Sequence, residues 1–150
     1  MFDSHQKTNK WLALATFFIS LVIYSLTMAP TASFWDAGEF IAVAHGLQVN
    51  HPPGAPFYSI LGRIFSMFMP TEYVAVSINF MSVLSSALTV MLLYLIVVRL
   101  IREFKPNVNE WTSGDKIAHY GGALIGSLTF AVTDTFWFNA VEAEVYAMSM

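Results

Sequence analysis

The sequence predicts an all-α, polytopic membrane protein, and two observations carry that prediction. Of the 150 residues, 56% are hydrophobic and 11% are charged, whereas a soluble domain is about 25% charged. Uncharged or nearly uncharged apolar stretches recur at 11–29, 73–98 and 117–138, and a membrane helix needs about 20 predominantly apolar residues. We therefore predict three transmembrane helices with short helices at the outer face, and no strand signal competes.

The first predicted span, 11–29, follows a polar start. No charged residue occurs from Trp11 to Trp35, and Pro30 ends the helix because proline lacks an N–H and clashes in a helix interior. The apolar stretch exceeds the roughly 7–15 residues of a signal-peptide core. We therefore interpret it as an uncleaved anchor.

The segment 30–72 is predicted to lie outside the membrane. A short helix is expected over 36–48, with Ser33 or Asp36 as its N-cap because both side chains can accept from free N–H groups of the first turn. The prolines within 50–56 exclude a helix there, since each one pushes its predecessor toward extended geometry.

A further helix is predicted over 57–69. A run of about 10–14 apolar residues is typical of an interfacial or re-entrant helix rather than a spanning one. Residues at helical spacing give it one apolar stripe, formed by Phe57, Ile60, Leu61, Ile64, Phe65 and Phe68. Arg63 lies off that stripe, where it can pair with a phosphate or reach toward lipid headgroups.

The second span, 73–98, carries small and polar side chains suited to helix packing. In the third, 117–138, glycines at 121, 122 and 126 are expected to allow close helix contact in lipid.

Basic residues set the predicted orientation. Six of them fall on one side of the membrane: Lys7, Lys10, Arg99, Arg102, Lys105 and Lys116. Positively charged loops stay cytoplasmic, so the N-terminus is predicted inside, and 30–72 and the region of Glu142 outside. With a net charge of −3 we expect no nucleic-acid partner. Cysteine is absent, which excludes a thiolate metal site and a cysteine nucleophile.

Asp36 and Glu39 are the main candidates for chemistry. Three residues apart on a helix, they share a face, with about 5–6 Å between Cβ atoms. Such a pair can act as general base and orienting partner, bind a divalent cation, or simply favour the helix dipole. The spacing alone leaves these open. His51, fixed beside two prolines, can carry protons or contact phosphate, and we assign no metal ligands.

A second acidic region contains Glu142 and Glu144. On a continuing helix these point in nearly opposite directions, whereas Asn139, Glu142 and Tyr146 share a stripe. Either that stripe or Glu144 is expected to line a cavity. The alternative is that the helix has already emerged into water.

The most distinctive segments are PTASFWDAGEF at 30–40, LQVNHPPGAP at 47–56 and AVEAEVYA at 140–147. Together they resemble the N-terminal signature of a bacterial membrane family, common in Bacteroidetes and long catalogued as a domain of unknown function. That family is related to a vertebrate transmembrane protein O-mannosyltransferase that modifies plexin-type receptor domains. It is placed among the multi-spanning GT-C glycosyltransferases.

The resemblance implies a glycosyltransferase of the bacterial inner membrane that works on its outer, periplasmic face. Its donor would be a polyprenyl-phosphate sugar and its acceptor a Ser or Thr hydroxyl of a protein. Asp36 is then our first choice for the general base and Glu39 the second. We add the remaining outer-face candidates as substrate-binding residues: His51, Arg63, Glu142, Glu144 and Tyr146. No cofactor is assigned beyond the lipid-linked donor, and a requirement for a divalent metal stays open.

Family members are several hundred residues or longer, and the apolar pattern here is unbroken at Met150. We therefore expect these residues to be the N-terminal part of a GT-C-like domain, inactive alone because three spans cannot enclose donor and acceptor. One alternative is a transporter or channel fragment with Asp134, Glu142 and Glu144 in the substrate path. Another is a small structural membrane subunit.

Overall fold

The computed structural model describes residues 4–52, 54–104 and 106–148, and every regular element in these ranges is helical. Pro53 of the proline-rich segment, Lys105 of the basic group and Met150 lie outside the described residues. The α-helices are α1 Ser4–Thr27, α2 Ala37–Gly46, α3 Pro56–Ser66, α4 Val74–Phe104, α5 Ser113–Ala131 and α6 Asp134–Val141. Short 3₁₀ turns occupy Thr71–Tyr73, Val108–Glu110 and Val145–Met148.

Helix α4 is the centre of the fold, since all five other helices pack against it. Three apolar clusters follow one another along its length. The cluster at the end of α4 that carries α2 and α3, called the outer cluster after its position in the predicted topology, includes Ile78 and Met81. The middle cluster includes Val83 and Val90, and the cluster at the opposite end, called the inner one, includes Tyr94. The outer cluster lies between α4, α2 and α3. It therefore fixes the position of α2, the helix that begins at Asp36 and carries Glu39.

The prediction of a helical membrane protein is confirmed. Among the described residues, His5–Thr27 and Thr71–Phe104 are long and apolar enough to cross a membrane by length and composition. Much of the first helix is exposed in the fold, including large apolar side chains such as Phe18, Val22 and Leu26. Surfaces of this kind suit lipid, since a soluble protein rarely leaves so large an apolar area in water.

The third predicted span, 117–138, is not one helix. Helix α5 ends at Ala131 and α6 begins at Asp134, because a turn at Val132 and Thr133 separates them. Thr112 and Asp115 form a capping box that starts α5 several residues earlier than predicted. The three glycines expected to allow close helix contact, Gly121, Gly122 and Gly126, make none, since a Cβ added at any of them would meet nothing within 4 Å.

Two contacts close the outer end of the bundle. The Asn79 side chain, fully buried on α4, donates to the carbonyls of Ala29 and Thr31 at 2.8 and 3.1 Å. The backbone N–H of Ala29 in turn donates to the Val141 carbonyl at 2.9 Å. These bonds tie the chain leaving α1 to both α4 and α6, and so they fix where α2 begins.

The face of α3 that packs inward is not the predicted apolar stripe. Tyr58, Ser59, Gly62 and Ser66 are buried against the outer cluster, while four of the six stripe residues are exposed: Phe57, Ile60, Ile64 and Phe68. Small residues allow the closest helix approach. A Cβ on Gly62 would lie 2.7 Å from that of Ala44, so α2 and α3 touch along their backbones.

Candidate functional site

Asp36 stands at the N-terminus of α2, as predicted. Its carbonyl accepts from the Phe40 N–H at 2.9 Å, but its side chain forms no cap hydrogen bond. Trp35 immediately before it has a φ of 61°, a left-handed conformation that costs a non-glycine residue about 1–2 kcal/mol. The Asp36 carboxylate is exposed and forms no hydrogen bond with the described residues, so it is available to a ligand.

Glu39 lies one turn further along α2 and is fully engaged by His51. One carboxylate oxygen accepts from the His51 backbone N–H at 2.8 Å, and the other lies 3.0 Å from its Nδ1. The backbone and side-chain hydrogen bonds from His51 lower the pKa of Glu39. In return, the hydrogen bond and charge of Glu39 raise the pKa of His51, with a smaller contribution from Asp36.

The loop after α2 holds His51 in this position. The Asn50 side chain, which is buried, accepts from the Ala55 N–H at 2.9 Å and closes the loop. Gly54 has a φ of 80° and donates to the His51 carbonyl at 3.0 Å, a turn that favours glycine. Phe40 lies beside the His51 ring, at 5.9 Å between ring centroids. The prediction that the rigid segment fixes the direction of His51 fits these contacts.

Helix α6 ends at Val141, so the predicted helical stripe of Asn139, Glu142 and Tyr146 does not form. Glu142 has extended backbone geometry and accepts a hydrogen bond from the Ser33 hydroxyl at 2.5 Å. Ser33 therefore links the two acidic segments instead of capping α2. The expectation that Glu142 and Glu144 point apart assumed a continuing helix and loses its basis.

Glu144 is half-buried beside α4, where its backbone N–H lies 3.5 Å from the Ser82 hydroxyl. Burial raises its pKa, and the negative charges of Glu142 and Asp36 raise it further. Both carboxylates therefore act on Glu144 from the same region. The Glu144 charge also adds to burial in raising the pKa of Tyr58 on α3. Three acidic groups from two distant stretches of sequence thus share one electrostatic environment.

Arg63 lies elsewhere. Its guanidinium donates to the His45 carbonyl at 2.5 Å, at the C-terminal end of α2. At about 1.5 Å per residue, that end is roughly 13 Å along the helix from Asp36. Nδ1 of His45 lies 3.0 Å from the Ser66 hydroxyl, so this second group joins α2 to α3. The structure does not bring Arg63 to the acidic cluster; the Arg63 guanidinium instead binds a backbone carbonyl in the last turn of α2.

Tyr146 is exposed and borders a groove of about 280 Å³ whose other wall is formed by Gly54, Ala55, Pro56, Phe57 and Tyr58. This groove lies between the proline-rich loop and the segment of Glu144. Asp134 is exposed at the far end of α6, roughly 12 Å along the helix from Glu142. Asp134 therefore does not line a common path with the other acids.

Asp36, Glu39 and His51 each offer a ligand atom within 4.8 Å of the others. Oxygens and imidazole nitrogens at such distances can hold a divalent cation. Glu39 and His51, however, already use their facing atoms on one another. As it stands, the group is an ion pair beside one open carboxylate, which suits proton transfer from a hydroxyl.

A helical membrane protein with a carboxylate cluster beside the outer end of its central helix is the class that this fold and site define. Residues 36–150 match the family model described as Protein O-mannosyl-transferase TMEM260 N-terminal domain. The chain belongs to this family, and the resemblance inferred from its motifs is confirmed.

Two relatives extend the comparison. Protein O-mannosyl-transferase tmem260 of Dictyostelium discoideum is 32% identical over 146 residues, which are 95% of this chain and 16% of the relative. Protein O-mannosyl-transferase TMEM260 of Mus musculus is 29% identical over 137 residues, 91% of this chain and 17% of the relative. The chain thus spans only about a sixth of the length of these curated relatives. No solved structure matches it.

Proposed function

We propose that this chain is the N-terminal part of a membrane protein O-mannosyltransferase. The full-length enzyme would move mannose from a polyprenyl-phosphate donor to a Ser or Thr hydroxyl of a protein. The reaction would take place on the periplasmic face of a bacterial inner membrane, with the N-terminus in the cytoplasm. Family membership supports the reaction class, since both relatives carry the name O-mannosyl-transferase.

The observation that carries the mechanism is the open carboxylate of Asp36 beside the occupied pair of Glu39 and His51. A base must be free to receive a proton, and Glu39 has both oxygens bound to His51. Asp36 has no such partner among the described residues. We therefore assign Asp36 as the base and Glu39 with His51 as the pair that holds the loop against α2.

The step balances with one base. The acceptor oxygen forms a bond to the sugar C1 while the bond from C1 to the phosphate oxygen breaks. Asp36 takes the hydroxyl proton, and the polyprenyl phosphate leaves with the bonding electrons. No general acid is needed, because a phosphate is a good leaving group without protonation. Glu144, whose pKa is raised by burial and by Asp36, would lie at the edge of the same site.

The test is transfer itself. Full-length protein in vesicles is supplied with radiolabelled polyprenyl-phosphate mannose and a serine- and threonine-containing acceptor peptide. We expect the peptide to become labelled and β-elimination to release that label, because the sugar is O-linked. Protein that is folded and inserted, yet transfers label to no peptide from any polyprenyl-phosphate hexose, would contradict the proposal.

A further inference from the structure

A small polar cavity lies at the inner end of the bundle, where α1, α4 and α5 meet. Its volume is about 90 Å³, which is enough for a phosphate group. Polar side chains from all three helices line it: His5, Gln6, Asn9, Arg102 and Tyr120. No carboxylate of the described residues lines the cavity. A guanidinium that faces a cavity without an acid is suited to an anion.

The positive charge of Arg102 is not balanced within the described part of the chain. Arg99, three residues earlier on α4, pairs with Glu103 at 3.1 Å. The other two carboxylates described at this end, Glu110 and Asp115, accept hydrogen bonds from residues in their own turns. Arg102 forms neither an ion pair nor a hydrogen bond with any described residue. Its guanidinium is therefore available to an anion from outside the chain.

The Asn9 side chain gives an independent sign of a ligand. Its amide oxygen is buried and has no hydrogen-bond partner among the described residues. A buried acceptor without a donor is costly, so the Asn9 oxygen needs a donor that the described chain does not supply. The Tyr120 hydroxyl donates to the His5 carbonyl at 3.4 Å and joins α5 to α1 around the cavity. The cavity thus offers a cation and an acceptor to one ligand.

We propose that this cavity binds the headgroup of an anionic phospholipid of the phosphatidylglycerol type. The Arg102 guanidinium would bind the phosphate, because its planar fork matches two phosphate oxygens. A hydroxyl of the headgroup glycerol would donate to the Asn9 oxygen. Phosphatidylcholine offers no such donor, and the ammonium of phosphatidylethanolamine would bring a positive charge close to Arg102. Phosphatidylglycerol matches both groups.

Position favours a lipid over phosphate dissolved in water. The two helices that supply the guanidinium and the amide belong to the candidate membrane spans. Large exposed apolar side chains continue from the cavity along both helices, at Trp11 on α1 and Leu100 on α4, and tryptophan is enriched at headgroup depth. Lys7 and Lys10 on α1 are also exposed. Basic residues beside a pocket between membrane helices attract anionic headgroups.

The test measures lipid binding. Full-length protein in detergent micelles is titrated with phosphatidylglycerol and, in parallel, with phosphatidylcholine, and native mass spectrometry gives the number and affinity of bound lipids. Arg102→Gln removes the proposed phosphate contact. Arg99→Gln is the matched control, because it makes the same change on the same helix at an arginine already paired with Glu103.

We expect one phosphatidylglycerol site that Arg102→Gln weakens by about 10-fold to 100-fold, the usual effect of losing hydrogen bonds to a charged group. Arg99→Gln should leave that site unchanged, and phosphatidylcholine binding should be the same in all three proteins. Equal affinity of the wild type for the two lipids would overturn the proposal. So would an equal effect of the two arginine variants.

Two further probes separate the parts of the headgroup. Phosphatidylmethanol has the same charge as phosphatidylglycerol but no headgroup hydroxyl, so it should bind more weakly to the wild type. Asn9→Leu should remove that difference, and equal binding of both lipids to the wild type would refute the contact with Asn9. Inorganic phosphate at millimolar concentration should not displace phosphatidylglycerol; displacement would show a site for the free anion and overturn the lipid assignment. None of these measurements depends on sugar transfer, so their outcome is separate from that of the transferase proposal.

Discussion

Gly62→Ala is the sharpest test of how the outer segment is assembled. The added Cβ would lie 2.7 Å from the Ala44 Cβ, with Met81 and Ile78 also near, at 3.8 and 3.9 Å. Two Cβ atoms do not approach as closely as 2.7 Å, and the Ala44 Cβ cannot move aside because it is attached directly to the backbone. The backbone of α2 or α3 must therefore move by roughly 1 Å to restore an ordinary contact of about 3.5–4.0 Å.

The magnitude follows from two opposing effects. Alanine is favoured over glycine in a helix interior by about 1 kcal/mol. Overpacking a close contact costs about 1–3 kcal/mol. Gly122→Ala is the matched control, because it makes the same change in helix α5 with nothing within 4 Å of the new Cβ. The two variants should thus differ by about 1–3 kcal/mol in the free energy of unfolding.

Thermal unfolding of the chain in detergent micelles, followed by circular dichroism, measures the difference. At about 3 °C per kcal/mol for a chain of this size, Gly62→Ala should unfold roughly 3–9 °C below Gly122→Ala. If both variants unfold at the same temperature, α2 and α3 do not touch at Gly62, and the account of the outer segment is wrong.

Three further predictions concern the contacts around the site. Asn79→Ala should lower the free energy of unfolding by about 1–3 kcal/mol, because two carbonyls lose a buried donor; thermal unfolding in micelles checks this, and an unchanged midpoint would contradict it. Ser33→Ala should make the backbone amides near Glu142 exchange their hydrogens faster, because the Ser33 hydroxyl links the two segments. Equal exchange rates in the variant and the wild type, measured by hydrogen exchange, would rule out that role. In an NMR titration, His51 should have a pKa above its ordinary 6.5, returning toward it in Glu39→Gln. Because the pKa of His51 is raised, its contribution to stability is complete below about pH 6.5 and is lost as the pH rises through the shifted value. Because the pKa of Glu39 is lowered, its contribution is complete above about pH 4.5 and is lost as the pH falls through the shifted value. The pair should therefore be firmest between these values, and a His51 pKa at or below 6.5 would refute it.

Much of the fold could be predicted because apolar length and proline positions are local signals. The two long helices and the short helix α2 agree with those signals. The break at Val132 and Thr133 was missed because no proline or glycine marks it and apolar residues resume at Phe136, although Thr133 and Asp134 form a local signal for a helix start. The apolar stripe of α3 is visible in the sequence, but the face that meets α2 is not, because the contact of Gly62 with Ala44 joins positions that no sequence pattern pairs.

The site was predictable in part. The helical spacing of Asp36 and Glu39 and the rigid turn at His51 point to one place without knowledge of tertiary contacts. The roles of Ser33 and Asn50 depend on partners distant in sequence or on loop geometry, and serine and asparagine are too common in turns to be distinctive. Arg63 was assigned from charge and side of the membrane alone, and its partner, a backbone carbonyl at the end of α2, has no sequence signal.

The central claim is that Asp36 is the base of a glycosyl transfer, and one comparison tests it most directly. Mannosyl transfer by the full-length protein is measured for Asp36→Asn and for Asp134→Asn, which makes the same change at an exposed carboxylate on α6 away from the cluster. Loss of a general base typically costs about 10²–10⁴-fold in rate. We predict that loss for Asp36→Asn alone, with membrane insertion unchanged in both. Full activity of Asp36→Asn, or an equal loss in the two variants, would contradict the account.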